Sequence, residues 1–405
     1  MCSISGRYSG SSMAVNYLSE RTRSIALSGI RVMWEKTLKI PDVIRMDIGE
    51  PDFQPPRKVR QALYEAIEEG YTHYSPSAGL PETREAVAEK ARRENGMDVS
   101  PSEVVITPGG SAALYLSMMA TVNPGEEVLI PDPGWAQYNA MVSLANGVPV
   151  GYRLSEDKGY MVDVEDLEKK ITSKTKMILI NTPQNPTGSV LNRKILQEIA
   201  DLAVERNLLV LSDEVYEKFV FDGETHVSIG SFEGLKDRVI TVNSLSKTYA
   251  MTGLRIGYVI APQQIAEEVA KLNLYVSTCA NTAVQHAATA ALKHHHEEIE
   301  LMLNEYRRRR DAVYKRLLEI EGVSCVKPKG AFYLFPNFGE AVKMSSFDFA
   351  MHLLDTVHVS TVPGSSFGSM GENHLRMACT SEINRLLLGV EKIAKAVEDL
   401  RRHKT

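Results

Sequence analysis

Ser244-Leu245-Ser246-Lys247-Thr248-Tyr249-Ala250-Met251-Thr252-Gly253-Leu254-Arg255-Ile256-Gly257 is the stretch on which the reading of this chain turns. Apolar runs at 239–243 and 255–261 flank it, and both predict strands. Lys247 is thereby placed in a loop of small residues at a strand's end, with hydroxyls at Ser244, Ser246 and Thr248. A lysine held there is costly unless something uses it. Desolvation and nearby positive charge lower the pKa of an amine, and a neutral amine attacks carbonyl carbon. Arg255 is the nearest cation in sequence. The plain alternative is a surface lysine in a loop, which any single lysine fits better.

On the N-terminal side, further short apolar runs occur at 104–107, 127–130, 148–152, 177–180 and 208–211. Continuous runs of this kind predict strands buried on both faces, as in a mostly parallel sheet. Helical spacing at 111–122, 135–146 and 191–205 alternates with them. The expected fold is α/β, with a mostly parallel seven-stranded sheet sandwiched by helices. Ligands in such sheets bind beyond the carboxyl ends of the strands. Helices are also expected at 24–39, 57–69, 81–95, 262–273, 281–295 and 297–319. Runs at 323–326, 331–335 and 375–378 predict strands of a smaller α+β domain, completed by residues 15–50 folding back. The expected division is 1–50 as an N-terminal arm and segment of the small domain, 51–295 as the large domain, and 296–405 as the small domain. A short strand at 43–53 is broken by Gly49 and Pro51.

The 405 residues carry a formal net charge of −5 and 43% hydrophobic content. Nothing here suggests a nucleic-acid surface. Four scattered cysteines without C-x-x-C spacing argue against zinc or a disulfide framework. Residues 1–15 lack an apolar signal segment, and no run reaches the roughly 20 apolar residues that span a bilayer. A soluble, cytoplasmic protein acting on small molecules is expected. His294-His295-His296 point different ways on a helix and make a poor metal set. A solvated helix end is expected there.

Several polar motifs fall where the strands end. Thr107-Pro108-Gly109-Gly110-Ser111 joins a strand to a helix. Its glycines allow close backbone approach, the helix N-terminus offers free N–H groups, and Ser111 adds a hydroxyl. An ordinary capped turn would look the same. The loop is neither G-x-G-x-x-G nor G-x-x-x-x-G-K-[ST], which disfavours NAD and ATP and leaves a single phosphate monoester. Arg255, Ser244 and Ser246 could complete that cup, the arginine through its planar fork. Asp213, in Ser212-Asp213-Glu214-Val215-Tyr216, is either a cap or a charge partner. Asn185 lies in Asn181-Thr182-Pro183-Gln184-Asn185-Pro186-Thr187-Gly188, where turn chemistry alone could explain the sequence. Trp135 follows Pro131-Asp132-Pro133-Gly134, and a lone tryptophan is more often core. Arg376 sits inside an apolar strand, where a guanidinium needs a bidentate partner.

Taken in order from about residue 24 to 400, these motifs resemble those of class I (aspartate/aromatic-type) aminotransferases that depend on pyridoxal 5′-phosphate (PLP), fold type I. The S-L-S-K-x-x-x-x-x-G-x-R string is similar to that family's Schiff-base lysine motif. The resemblance implies that Lys247 binds PLP covalently and moves the α-proton. It gives Asp213 the pyridine nitrogen, Tyr216 and Asn185 the ring oxygen, and Trp135 the ring face. It gives Gly110, Ser111, Ser244, Ser246 and Arg255 the phosphate, and Arg376 the substrate α-carboxylate, with Gly49, Asn185 and Trp135 beside the substrate. Tyr74, in Y-x-P-x-x-G-L, would reach a neighbouring subunit's phosphate in a homodimer with shared sites. The implied activity is ping-pong transfer of an amino group to 2-oxoglutarate. Some relatives carry lysine at the position of Ser111, and residues 275–280 and 327–332 resemble aromatic aminotransferases, so aspartate and aromatic donors both stay open. A PLP-dependent lyase or racemase would use the same lysine and aspartate.

Overall fold

The computed structural model describes residues 17–402 apart from 24 and 26–28. The expectations for residues 1–16 and for Ser24 lie outside the described residues. Twelve strands are present among them. They are β1 (Ile44–Arg45), β2 (Val104–Thr107), β3 (Glu127–Asp132), β4 (Val148–Arg153), β5 (Thr175–Asn181), β6 (Leu209–Asp213), β7 (Val239–Ser244), β8 (Gly257–Ile260), β9 (Tyr333–Leu334), β10 (Val359–Ser360), β11 (Val362–Pro363) and β12 (Leu375–Ala378).

Seven of these form one sheet in the order β2-β8-β7-β6-β5-β3-β4. Only β8 runs antiparallel to its neighbours. The apolar runs are continuous because successive side chains enter different cores: Met177 and Leu179 join one, Ile178 and Ile180 the other. Each such side chain contributes roughly 1.5–3 kcal/mol through burial. The exception is β4, which lies at the edge and is more exposed, burying only Tyr152 fully. Helices Gly110–Thr121 and Arg193–Glu205 pack on opposite faces, again in separate cores.

A second body gathers β9–β12 with helices Glu297–Leu317, Ser346–Val357 and Ile383–Arg402. Met33, Ile44 and Met46 are buried in its core beside Leu353 and Ile393, so the N-terminal segment does fold back onto the C-terminal part. β1 pairs in parallel with β10.

Three expectations need correction. The run 43–53 forms only the two-residue β1. Past it, the carbonyls of Asp47, Ile48 and Gly49 accept from the side chains of Arg376, Thr380 and Lys247, leaving no ladder to continue. The run 323–326 is not a strand: Ser324 makes an isolated bridge to Asn337. The run 331–335 shortens to β9, because Ala331 takes φ +56° and its N–H bonds the Phe219 carbonyl. The histidine run is also only partly solvated. His294 and His295 are exposed, whereas His296 is buried and its ring bonds the Ala291 carbonyl at 3.2 Å.

Candidate active site

Beyond the carboxyl ends of β5, β6 and β7 lies a cavity of about 680 Å³. Its lining includes Gly49, Gly110, Ser111, Trp135, Asn185, Asp213, Tyr216, Ser244, Ser246, Lys247, Arg255 and Arg376. Every candidate cofactor or substrate residue is therefore brought together except Tyr74, which is 85% exposed and lies outside the cavity.

Lys247 rides on the single helical turn Leu245–Thr248 that follows β7. Ser244 caps this turn, its hydroxyl accepting from the Ser246 N–H at 3.1 Å. The turn aims the lysine amine at the Gly49 carbonyl, 2.5 Å away. Burial brings the Lys247 ammonium down to about 8, with Arg376 and then Arg255 adding repulsion. The stronger of the two cations is thus the one distant in sequence. Ala250 and Arg255 hold φ +52° and +51°, a left-handed backbone that costs non-glycine residues about 1–3 kcal/mol and concentrates at functional sites.

Asp213 is buried at the end of β6. Tyr138 donates to its Oδ2 at 2.6 Å, and the Val215 N–H to Oδ1 at 3.3 Å. Burial pushes Asp213 up to about 6 even though both bonds hold it down. Tyr216 shares a 2.7 Å hydrogen bond with Tyr333. Arg376 is buried on β12 between the rings of Tyr333 (4.5 Å) and Phe367 (5.2 Å). Its Nη2 donates to the Asp47 carbonyl at 2.6 Å and its Nη1 to Asn185 Oδ1 at 3.3 Å.

Residues 41–391 match the family model for aminotransferase class I and II. This chain belongs to that family. An aspartate aminotransferase of Pyrococcus abyssi is 42% identical over 385 residues, covering 94% of this chain and 98% of the relative. An aromatic-amino-acid aminotransferase 2 of Thermococcus litoralis is 41% identical with the same coverage. Among solved structures, the aspartate aminotransferase of Thermus thermophilus with maleate superposes with a TM-score of 0.89 at 35% identity, covering 94% of this chain and 100% of that one. An aromatic aminotransferase from Pyrococcus horikoshii gives 0.87 at 42% identity, covering 91% and 99%. Aminotransferases of this class and fold depend on PLP.

The cavity of this aminotransferase fits that cofactor. Helix Gly110–Thr121 starts without a side-chain cap, so its first N–H groups stay available to an anion. A Cβ on Gly109, itself at φ +88°, would sit 2.5 Å from an Arg255 nitrogen, so glycine is what lets the guanidinium lie against this loop. The buried Nε of Arg376 has no hydrogen-bond partner among the described residues and still requires an acceptor.

Sequence reasoning missed Tyr138, Tyr333, Glu50 and Thr252, all of which line the aminotransferase cavity. Tyr138 could have been found: it stands three residues after Trp135, and the two rings meet edge to face at 5.5 Å. Glu50 and Thr252 hydrogen-bond each other across the lysine loop, which no local pattern announces. Asp52 turns out to be an anchor, binding Tyr306 at 2.8 Å and Arg309 at 2.9 Å from helix Glu297–Leu317.

Proposed function

We propose that this aminotransferase moves the amino group of an aspartate-type or aromatic α-amino acid to 2-oxoglutarate, by a ping-pong scheme in which donor and acceptor use one cavity in turn. The observation that carries the reading is the meeting of three groups in that cavity: the low-pKa amine of Lys247, the buried carboxylate of Asp213 and the half-satisfied guanidinium of Arg376. Both donor classes follow from relatives of nearly equal identity, one named for aspartate and one for aromatic amino acids.

When bound, PLP supplies the electron sink that lets an amino acid lose its α-proton. Gly110, Ser111, Ser244, Ser246 and Arg255 would hold its phosphate, Asp213 its ring nitrogen, Tyr216 and Asn185 its ring oxygen, and Trp135 its ring face. Lys247 would hold it covalently at rest. Arg376 grips the substrate carboxylate, with its fork completed by Asn185 and its Asp47 bond fixing the plane. The Lys247 amine would then take the α-proton and return it. Its pKa near neutrality suits both directions of that transfer.

We further propose a homodimer with shared sites, supported by the exposure of Tyr74, Tyr275 and Val276. The test of the activity is an amino-donor screen with 2-oxoglutarate, together with borohydride reduction of the yellow PLP-loaded protein. Transamination and a reduced adduct on Lys247 are expected. Label on another lysine, or turnover retained in Lys247→Ala, would refute the assignment. Amino-acid turnover without a keto acid would instead indicate a lyase or racemase.

A further inference from the structure

Outside the cavity, a carboxylate from one body bonds residues of the other. Glu156 lies on the turn Glu156–Lys158, just after β4 of the large sheet. Ser324 donates to its Oε1 at 2.6 Å and Asn337 to its Oε2 at 2.7 Å, and His374 Nε2 lies 3.4 Å from Oε2. All three partners belong to the C-terminal body. Tyr160, four residues on from Glu156 and fully buried, places its hydroxyl 3.0 Å from the same His374 nitrogen. These contacts, His374 foremost, hold Glu156 down to about 2.

His374 stands two residues before Arg376, next to β12. Side chains two apart on an extended chain share a face. On that face His374 stacks on Phe335 (4.7 Å), Phe335 meets Phe367 (6.1 Å), and Phe367 packs on the Arg376 guanidinium (5.2 Å). The clasp and the carboxylate-binding arginine are therefore joined both by adjoining chain and by a row of ring contacts, stacked at His374–Phe335 and edge to face at Phe335–Phe367.

We propose that Glu156, with Tyr160 and His374, is a positioning device for Arg376, setting how well the site binds the substrate carboxylate. The inference rests on the aminotransferase reading of the cavity. It implies that contacts outside the cavity tune substrate affinity and leave proton transfer at Lys247 alone.

The test uses the PLP-loaded protein. Its two tryptophans, Trp34 and Trp135, both line the cavity, so intrinsic fluorescence reports occupancy there. The probes are maleate and 3-phenylpropionate, two non-reacting carboxylates. Glu156→Ala should weaken whichever of them the parent protein binds by about tenfold and raise the amino-donor KM similarly, with kcat within about twofold and PLP affinity unchanged. Tyr160→Phe, which removes one hydroxyl, should shift the same two quantities by about threefold, and it carries the test if the alanine variant does not fold. Glu156→Gln, which keeps an acceptor for Ser324, should recover part of the loss. A lower melting temperature with unchanged probe binding and KM would overturn the proposal, as would kcat and PLP affinity falling together with KM. Binding of neither probe by the parent protein would instead overturn the carboxylate role of Arg376 itself.

Discussion

At Lys247 burial and like charge outweigh opposite charge. Burial disfavours the ammonium and Arg376 and Arg255 repel it, against the pull of Glu50 and Asp213, so the pKa falls from 10.5 to about 8. Because only the neutral amine adds to an aldehyde, PLP uptake by the cofactor-free protein should accelerate from about pH 7 to about pH 9, with a midpoint near 8. Absorbance in stopped flow checks this, and a midpoint near 10 would show an unperturbed lysine. Asp213 poses the opposite problem, since burial raises it and the Tyr138 hydroxyl holds it down. Tyr138→Phe removes a charge-assisted bond, a loss of about 1.5–3 kcal/mol at a buried group. The Asp213 pKa should then rise further, and the acid limb of activity should move to higher pH. PLP affinity measured at pH 6 and at pH 8 should fall more at the lower value. Equal loss at both would mean that the tyrosine acts by packing alone.

Helix Pro81–Asn95 carries Lys90 among the charged residues Glu89, Arg92 and Arg93. In the fold Lys90 is 2% exposed and bonds Glu217, the residue after Tyr216, and Asn95 at 2.8 Å. Burial alone would raise Glu217, but Lys90 and His226 hold it down to about 2. Since its folded pKa lies below the ordinary 4.5, the pair stabilises fully above pH 4.5 and loses that contribution as pH falls towards 2. Lys90→Met removes the cation that bonds the buried Glu217 carboxylate, which costs about 3–5 kcal/mol. Thermal unfolding should show a fall of about 5 °C, largely restored in the Lys90→Met/Glu217→Leu double variant. No restoration would mean that the lysine stem, and not its charge, fills the space. The strands of the large sheet were legible because burial on both faces leaves an unbroken apolar run. In the small body the run 375–378 was equally legible and forms β12, whereas 43–53 and 323–326 were not, because side chains and an isolated bridge take their backbone groups.

For the whole molecule, the proposed dimer makes a prediction that no single chain can satisfy. Tyr74 lies outside the cavity of its own chain, and its loop resembles one expected to serve a neighbour's phosphate. Lys247→Ala chains mixed with Tyr74→Ala chains should form one complete site per mixed dimer. Activity at limiting PLP should recover on mixing, and an absence of recovery would remove Tyr74 from any shared site. No helix among the described residues is long and apolar enough to cross a membrane. The sequence by itself determined the alternation of strands and helices, the place of Lys247 just beyond a strand's end, and the glycine-rich turn at residues 109–110, because each is a local pattern of polarity and backbone freedom. Only the tertiary structure decided that Arg376 lowers the lysine pKa, that Tyr138 bonds Asp213, that Lys90 is buried and that Glu156 clasps His374. Those pairings join residues dozens to hundreds of positions apart, and electrostatic and hydrogen-bond energies depend on distance in space, which spacing along a chain does not set.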